Sequence, residues 1–188
     1  DADGFGVFDL TDANTEISNG LENLVISYHE TEADAENNVN EIVGEYNNIV
    51  AYEQTVFIRV EDSASDNDCS SQLTLTLIVN DVPQINTEPS SLFLCDENTD
   101  GFGIFDLSTS NEELLNGLDP SDFTITYYEA QDDAQNALNA IVTPYNYTNT
   151  TAFNQFIWVR IENNTTSCYN VGSIELIINE LPVLTQPT

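Results

Sequence analysis

The chain has 188 residues, of which 33 are acidic and only two are basic, Arg59 and Arg160, giving a formal net charge of −31. Such a field excludes nucleic acid and membrane insertion into anionic lipid as modes of action, since both rest on Lys and Arg. An apolar share of 40% in strand-like runs argues against the disorder that acidity alone would bring, and no run reaches the ~18–20 apolar residues of a membrane span.

The chain says the same thing twice. Asp3-Gly4-Phe5-Gly6-Val7-Phe8-Asp9-Leu10 returns as Asp100-Gly101-Phe102-Gly103-Ile104-Phe105-Asp106-Leu107. Phe57-Ile58-Arg59-Val60-Glu61 returns as Trp158-Val159-Arg160-Ile161-Glu162, and Val79-Asn80-Asp81-Val82-Pro83 as Ile178-Asn179-Glu180-Leu181-Pro182. A repeat of this length is a whole domain, longer than the ~20–50 residues of a solenoid unit. The expected division is a first module over 1–83, a proline-bearing linker over 84–91, a second module over 92–182 and the start of another linker over 183–188. The segment Leu92 to Asn98, with Cys95, has no counterpart ahead of Asp3. The first module is therefore expected to lack its opening strand and cysteine, as in a slice of a longer array.

The second copy gives the elements in order. Leu92 to Leu94 reads as a short strand and Phe102 to Leu107 as another. Asn111 to Asn116, stopped by Gly117, reads as a helical turn. Phe123 to Tyr128 is β-branched and aromatic, a strand. Ala134, Leu138 and Ile141 recur at helical spacing, as do Ala35, Val39 and Ile42 in the first copy, predicting a short surface helix. Gln155 to Glu162 and Ser173 to Asn179 close the module as long strands, with Ile157, Val159 and Ile161 on one face and Phe156, Trp158 and Arg160 on the other. The pattern predicts an all-β chain: two tandem immunoglobulin-like or cadherin-like antiparallel β-sandwich modules with short surface helices.

Asp96-x-Asn98-x-Asp100-Gly101 places oxygen side chains at alternate positions before a glycine, the first half of a calcium loop. Leu107 stands where a bidentate Glu would close it, so Asp106, Glu162 or Asp81 is expected to complete the shell. Asp1 and Asp3 match the third and fifth positions in the first copy. The plainer reading is an acidic turn that needs no metal.

Arg59 and Arg160 occupy equivalent mid-strand positions, where an unpaired charge is costly. One structural ion pair per module is expected, Arg59 with Asp9 and Arg160 with Asp106, with Glu61 and Glu162 also in reach. The three cysteines fit a bridge between Cys95 and Cys168, with Cys69 left single; the alternative is three free thiols. A bridge implies an oxidising, extracytoplasmic location.

Tyr127, Tyr128, Tyr145, Tyr147, Phe153, Phe156 and Trp158 cluster in sequence, as a sandwich core or a sugar platform would require. The single histidine, His29, faces Tyr128 in the alignment of the copies and carries no shared chemistry. Without lysine, a second histidine or a phosphate loop, the usual bases and nucleophile pairs are missing, and no enzyme activity is expected. Asn146, Asn149, Asn163 and Asn164 fall in Asn-x-Ser/Thr triplets.

The string Cys95-Asp96-Glu97-Asn98-Thr99-Asp100-Gly101-Phe102-Gly103-Ile104-Phe105-Asp106-Leu107, followed by Tyr127-Tyr128-Glu129, Asp133-Ala134, Trp158 to Glu162 and Cys168, resembles repeats of giant flavobacterial surface proteins. These are exported by the type IX system and include gliding-motility adhesins. The resemblance covers both modules and implies an extracellular, cell-surface stalk with weak multivalent adhesion, whose partners are neighbouring repeats and a surface or glycan ligand. Asn80-Asp81-Val82-Pro83 is similar to the calcium-rigidified linkers of cadherins. Asp62-Ser63-Ala64 resembles the O-glycosylation sequon of Bacteroidota, making Ser63 a candidate. The rival function is a carbohydrate-binding module of a secreted polysaccharide-degrading enzyme.

Overall fold

A computed structural model describes residues 3–64 and 69–182. It divides into two units, Asp1–Asp81 and Val82–Thr188. Both are built on β-strands and repeat one plan.

In the second unit, β-branched and aromatic runs form the long strands. We number strands and helices through the whole chain, so those of this unit are β6 (Leu92–Asp96), β7 (Ile104–Phe105), α3 (Asn111–Leu115), β8 (Phe123–Tyr128), α4 (Gln131–Asn136), β9 (Tyr147–Thr148), β10 (Asn154–Asn163) and β11 (Tyr169–Glu180). The first unit supplies β1 (Val7–Phe8), α1 (Asn14–Ser18), β2 (Leu24–His29), α2 (Glu32–Asn37), β3 (Tyr46–Asn47), β4 (Glu53–Asp62) and β5 (Ser70–Ile78).

The main sheet of the second unit runs β6-β11-β10-β8. On its inner face Ile157, Val159, Ile161 and Ile174 are fully buried, facing Phe105, Leu107, Leu114 and Leu115 from the ribbon β7–β9 and the turns beside it. Each such side chain contributes about 1.5–3 kcal/mol of burial. The module is therefore an all-β sandwich with one long sheet and one short, partly helical layer. One pairing departs from the antiparallel plan: β6 runs parallel to β11, Leu92 beside Leu176 and Asp96 beside Glu180. The cause is the path of the chain. The Pro83 carbonyl accepts from Asn170 Nδ2 (3.1 Å) at the start of β11, and the Thr87 carbonyl from the Ser173 N–H (3.0 Å). Residues 84–91, read from sequence as a linker, thus lie along the second unit in the direction of β11. Gly172 permits this, since a Cβ there would stand 3.0 Å from the Thr87 backbone.

The first unit has the sheet β2-β4-β5 and the ribbon β1–β3, with Tyr28, Val56, Ile58 and Leu77 in its core. Among the described residues β2 and β5 are its edge strands.

The surface helices are shorter than predicted. Both end in left-handed residues, Asn38 (φ 52°) and Ala137 (φ 54°), so Val39, Leu138, Ile42 and Ile141 lie beyond them. Asparagine favours that conformation, and the chain leaves each helix to place Ile42 N–H on the Tyr28 carbonyl and Ile141 N–H on that of Tyr127, both at 2.8 Å. Phe102 to Leu107, expected as one strand, is strand only at Ile104–Phe105 and then winds into a 3-10 turn at Leu107.

Ala137 pays the steric cost of a left-handed Cβ that its counterpart Asn38 tolerates. Ala137→Asn is expected to stabilise the second unit by roughly 0.5–1 kcal/mol, read as a higher denaturant midpoint at unchanged slope.

Candidate functional site

Two polar assemblies and the cysteines carry the residues singled out from sequence. The first assembly surrounds each arginine on the outer face of the sheet. Arg160 Nε donates to Glu162 Oε2 (2.8 Å) and its Nη2 lies 2.7 Å from the same oxygen. Its Nη1 donates to the Ala134 and Gln135 carbonyls at 3.4 and 3.0 Å, and the guanidinium stacks over the Tyr169 ring at 3.3 Å. Arg59 donates to Glu61 and to the Ala35 and Glu36 carbonyls in the same way. Each arginine thus pins the C-terminal half of a short helix to the sheet. The expected partners Asp9 and Asp106 are placed elsewhere: Asp9 accepts from the Thr11 N–H and hydroxyl, and Asp106 from those of Ser108. Glutamates two residues along the same strand share the arginine's face, as period two dictates, whereas Asp9 and Asp106 sit at N-caps whose orphan N–H groups claim them.

The second assembly is the loop after β6. Asp96 is buried, and its oxygens accept from Asn98, Thr99 and Gly101 N–H groups at 3.2, 2.7 and 2.8 Å. Asn98 Nδ2 donates to Asp100 Oδ2 (2.7 Å), and Asp100 Oδ1 accepts from the Phe102 N–H. The three residues of the calcium reading are brought together, but amide hydrogens stand on their oxygens, as in the acidic turn. Among the described residues no three His, Cys, Asp or Glu side chains converge on a metal position. Asp3 accepts from the Phe5 N–H (3.0 Å), Asp81 is exposed, and Asp1 lies outside the described residues. Burial opposes ionisation of Asp96, yet the backbone donors outweigh it and hold the carboxyl below its usual range.

Sequence reasoning missed a buried polar corner present in both copies. Asn149 Oδ1 accepts from the Gly103 N–H (2.8 Å), while its Nδ2 donates to the Gly101 and Thr151 carbonyls (2.9 and 2.8 Å). Gln155 Oε1 accepts from the Thr150 N–H (2.7 Å), and its Nε2 donates to the Tyr147 hydroxyl (2.9 Å). Asn48, Gln54 and Tyr46 repeat the arrangement. The signal was identity of polar residues between copies. Asn149, within an Asn-Thr-Thr triplet, is thereby buried with its amide fully engaged.

The aromatic cluster separates. Tyr127, Tyr128 and Tyr147 are buried, and burial pushes the Tyr127 hydroxyl up, helped by nearby Asp106. Tyr145, Phe153 and Phe156 are exposed, Tyr145 in a 3-10 turn, Phe153 immediately before β10 and Phe156 within it. His29 is fully buried, its Nδ1 2.7 Å from the Val39 carbonyl and Nε2 2.9 Å from the Ser27 hydroxyl. Ser63 is exposed, its hydroxyl donating to the Asn23 carbonyl (2.8 Å).

Cys69 and Cys95 are exposed and Cys168 is half-buried, with no disulphide among the three, which corrects the bridge expected between Cys95 and Cys168. Parallel pairing sets Cys95 beside Asn179 near the end of β11, while Cys168 immediately precedes its first residue, Tyr169. At about 3.3 Å per residue the two stand roughly 35 Å apart along the strand, against the ~4.4–6.8 Å between Cα atoms that a disulphide requires. One cysteine marks the end where the chain enters the module, the other the end where it leaves. The family described as Flavobacterium inter-domain disulphide bond domain matches residues 1–83 and again residues 91–182. The chain belongs to this family. It is two tandem copies of a flavobacterial repeat, and no curated protein matches it.

Two outcomes test the assemblies of this repeat. Arg160→Lys loses the planar fork that reaches a carboxylate and two carbonyls at once, and is expected to cost about 1–3 kcal/mol, with Glu162→Gln costing less; an unchanged melting temperature counts against the pin. Because Asp96 is held below its unfolded value, its contribution is present above the ordinary carboxylate range and is lost as pH falls through the lowered value. Asp96→Asn should therefore flatten part of the acid limb of the stability curve, measured by thermal melts across pH.

Proposed function

We propose that the chain is a pair of non-catalytic modules from a long extracellular protein at the cell surface. Serial copies, joined by disulphides between neighbours, form a stalk that adheres through weak contacts made many times over. The observation that carries this reading is the position of the cysteines at opposite ends of one sheet. A thiol at the entry end and another at the exit end suit bonds to the modules before and after, in keeping with the inter-domain disulphide bond that the family's description names. Bonds of that kind call for an oxidising compartment, which supports placement outside the cytoplasm.

Repetition supports the adhesive part. A weak site gains avidity when copies are linked, by factors of roughly 10²–10⁴, without any new contact. The large negative charge keeps such a stalk soluble and apart from anionic surfaces. Exposed Ser63 is a candidate position for surface glycosylation.

The first test is covalent. No residue of the chain stands at the counterpart of Cys95 in the first unit, so thiol titration of the denatured, unreduced 188-residue chain should count three free thiols. A Cys95–Cys168 cross-link in a peptide map would overturn the joining of neighbours. The second test is cellular: antibodies to the chain should label intact cells, and beads bearing many copies should adhere where single copies do not. Tight binding of one copy to a single glycan on an array would give the module to the carbohydrate-binding class instead.

A further inference from the structure

Both copies leave one side of the sandwich open, between an outer strand of the sheet and the helical turn that faces it. In the second unit that strand is β8. The opening is a groove of about 630 Å³, walled by Glu112 and Leu115 of α3, by Leu118 and Pro120 of the turn after it, and by Ile125 of β8. Leu118 and Ile125 pack against the core yet stay half-buried. In the first unit the same opening lies between α1 and β2, with Thr15, Ser18, Leu21 and Ile26 at the corresponding positions and a volume of about 320 Å³. The fold makes the groove. The second copy enlarges it and lines it with leucine where the first has Ser18.

The backbone beside the groove has hydrogen bonds to offer. Tyr127 turns its carbonyl away from β10, onto the Ile141 N–H (2.8 Å). Residues of one strand that point the same way recur at a period of two. Ile125 therefore turns its own N–H and carbonyl outward, along the rim of the groove. Charge adds a third observation. Glu112 is exposed at the rim, and the chain carries a net charge of −31 with only two basic residues. Both of these, Arg59 and Arg160, are held by glutamates of their own strands. A side-chain cation for Glu112 comes from another molecule.

We infer that the groove of the second unit docks an extended segment of a partner protein, in which a leucine has a lysine or arginine two residues to either side. The main chain of the segment pairs with Ile125, its leucine packs against Leu115, Leu118 and Ile125, and one of its cations reaches Glu112. In such strand addition backbone bonds give affinity and alternate side chains give specificity. Other occupants meet obstacles. A second copy of the chain brings the same negative charge and is repelled. A sugar finds no aromatic ring in the walls to stack on. A small apolar molecule leaves the Ile125 backbone groups and Glu112 without partners. No cysteine lines the groove, so the inference stands or falls apart from the joining of modules.

The probe is a capped heptapeptide of threonine with a central leucine and a lysine two positions to either side, added to the intact 188-residue protein. Saturable shifts of the Leu118 and Ile125 amide signals in nuclear magnetic resonance are expected. A scrambled peptide of the same composition separates the groove from general attraction to an acidic chain. It should bind at least roughly tenfold more weakly, the cost of losing one buried leucine. Glu112→Lys in the protein should leave the melting temperature close to the parent's and weaken the lysine peptide roughly two- to fivefold. The same variant should accept a peptide with glutamate in place of each lysine. Absence of saturable shifts, equal binding of the scrambled peptide, or no effect of Glu112→Lys overturns the inference. The same shifts on concentrating the protein alone also overturn it, since the occupant is then a second copy.

Discussion

The parallel pairing of β6 with β11 is the constraint from which most of the module follows. A first strand that runs with the last must start where the last one starts, so the chain enters beside Asn170 and finishes β6 beside Glu180. That path needs a glycine at position 172 to pass over the sheet and another at 103 to seat Leu94. It also fixes Cys95 and Cys168 at opposite ends of β11, separating two thiols that sequence alone would join. Parallel pairs are slightly weaker per residue than antiparallel ones. Here the apolar contacts of Leu92 and Leu94 with the core supplement the ladder.

The short facing layer depends on side chains rather than on strands. With β7 and β9 only two residues each, a backbone ladder cannot hold the layer to the sheet. Asn149 and Gln155 do so instead, by giving the loop N–H and carbonyl groups buried partners that no strand provides. A buried amide with every polar atom matched is favourable, and the same amide half matched would be costly. The corner is therefore expected to tolerate substitution less than its apolar surroundings, and both copies keep Asn, Gln and Tyr there.

Much of this was legible. The long strands Phe123–Tyr128 and Asn154–Asn163 announced themselves by β-branched and aromatic content and by alternation, and the repeat itself gave two domains. Helix length was misread because Ala134, Leu138 and Ile141 keep helical spacing while the backbone leaves the helix at Ala137. Left-handed exits are set by what the next residues must reach, here the Tyr127 carbonyl. The arginine's partner was misassigned between two carboxylates that sequence presents equally. Period two favoured Glu162, and the N-cap geometry of Asp106 emerged only with the turn that follows it. The cysteine pairing failed for a topological reason: no local pattern states whether a first strand runs with or against the last.

The acidity of the chain takes on a structural meaning once its turns are seen. Both arginines are engaged at the sheet with their strand glutamates, and the aspartates of the turns find their donors elsewhere. Backbone N–H groups take that role. Asp9, Asp106 and Asp119 each cap a 3-10 turn through the N–H two residues on, and Asp96 gathers the turn before Gly101. The hydroxyl and N–H of Thr11 hold Asp9 below its usual range, and those of Ser121 do the same for Asp119. A protein with short elements needs many turn ends, and every turn end leaves orphan N–H groups. Aspartate is the side chain that satisfies them at least steric cost. Part of the negative charge is thus a consequence of building sandwich modules from short strands and single helical turns, and not only a property of the surface.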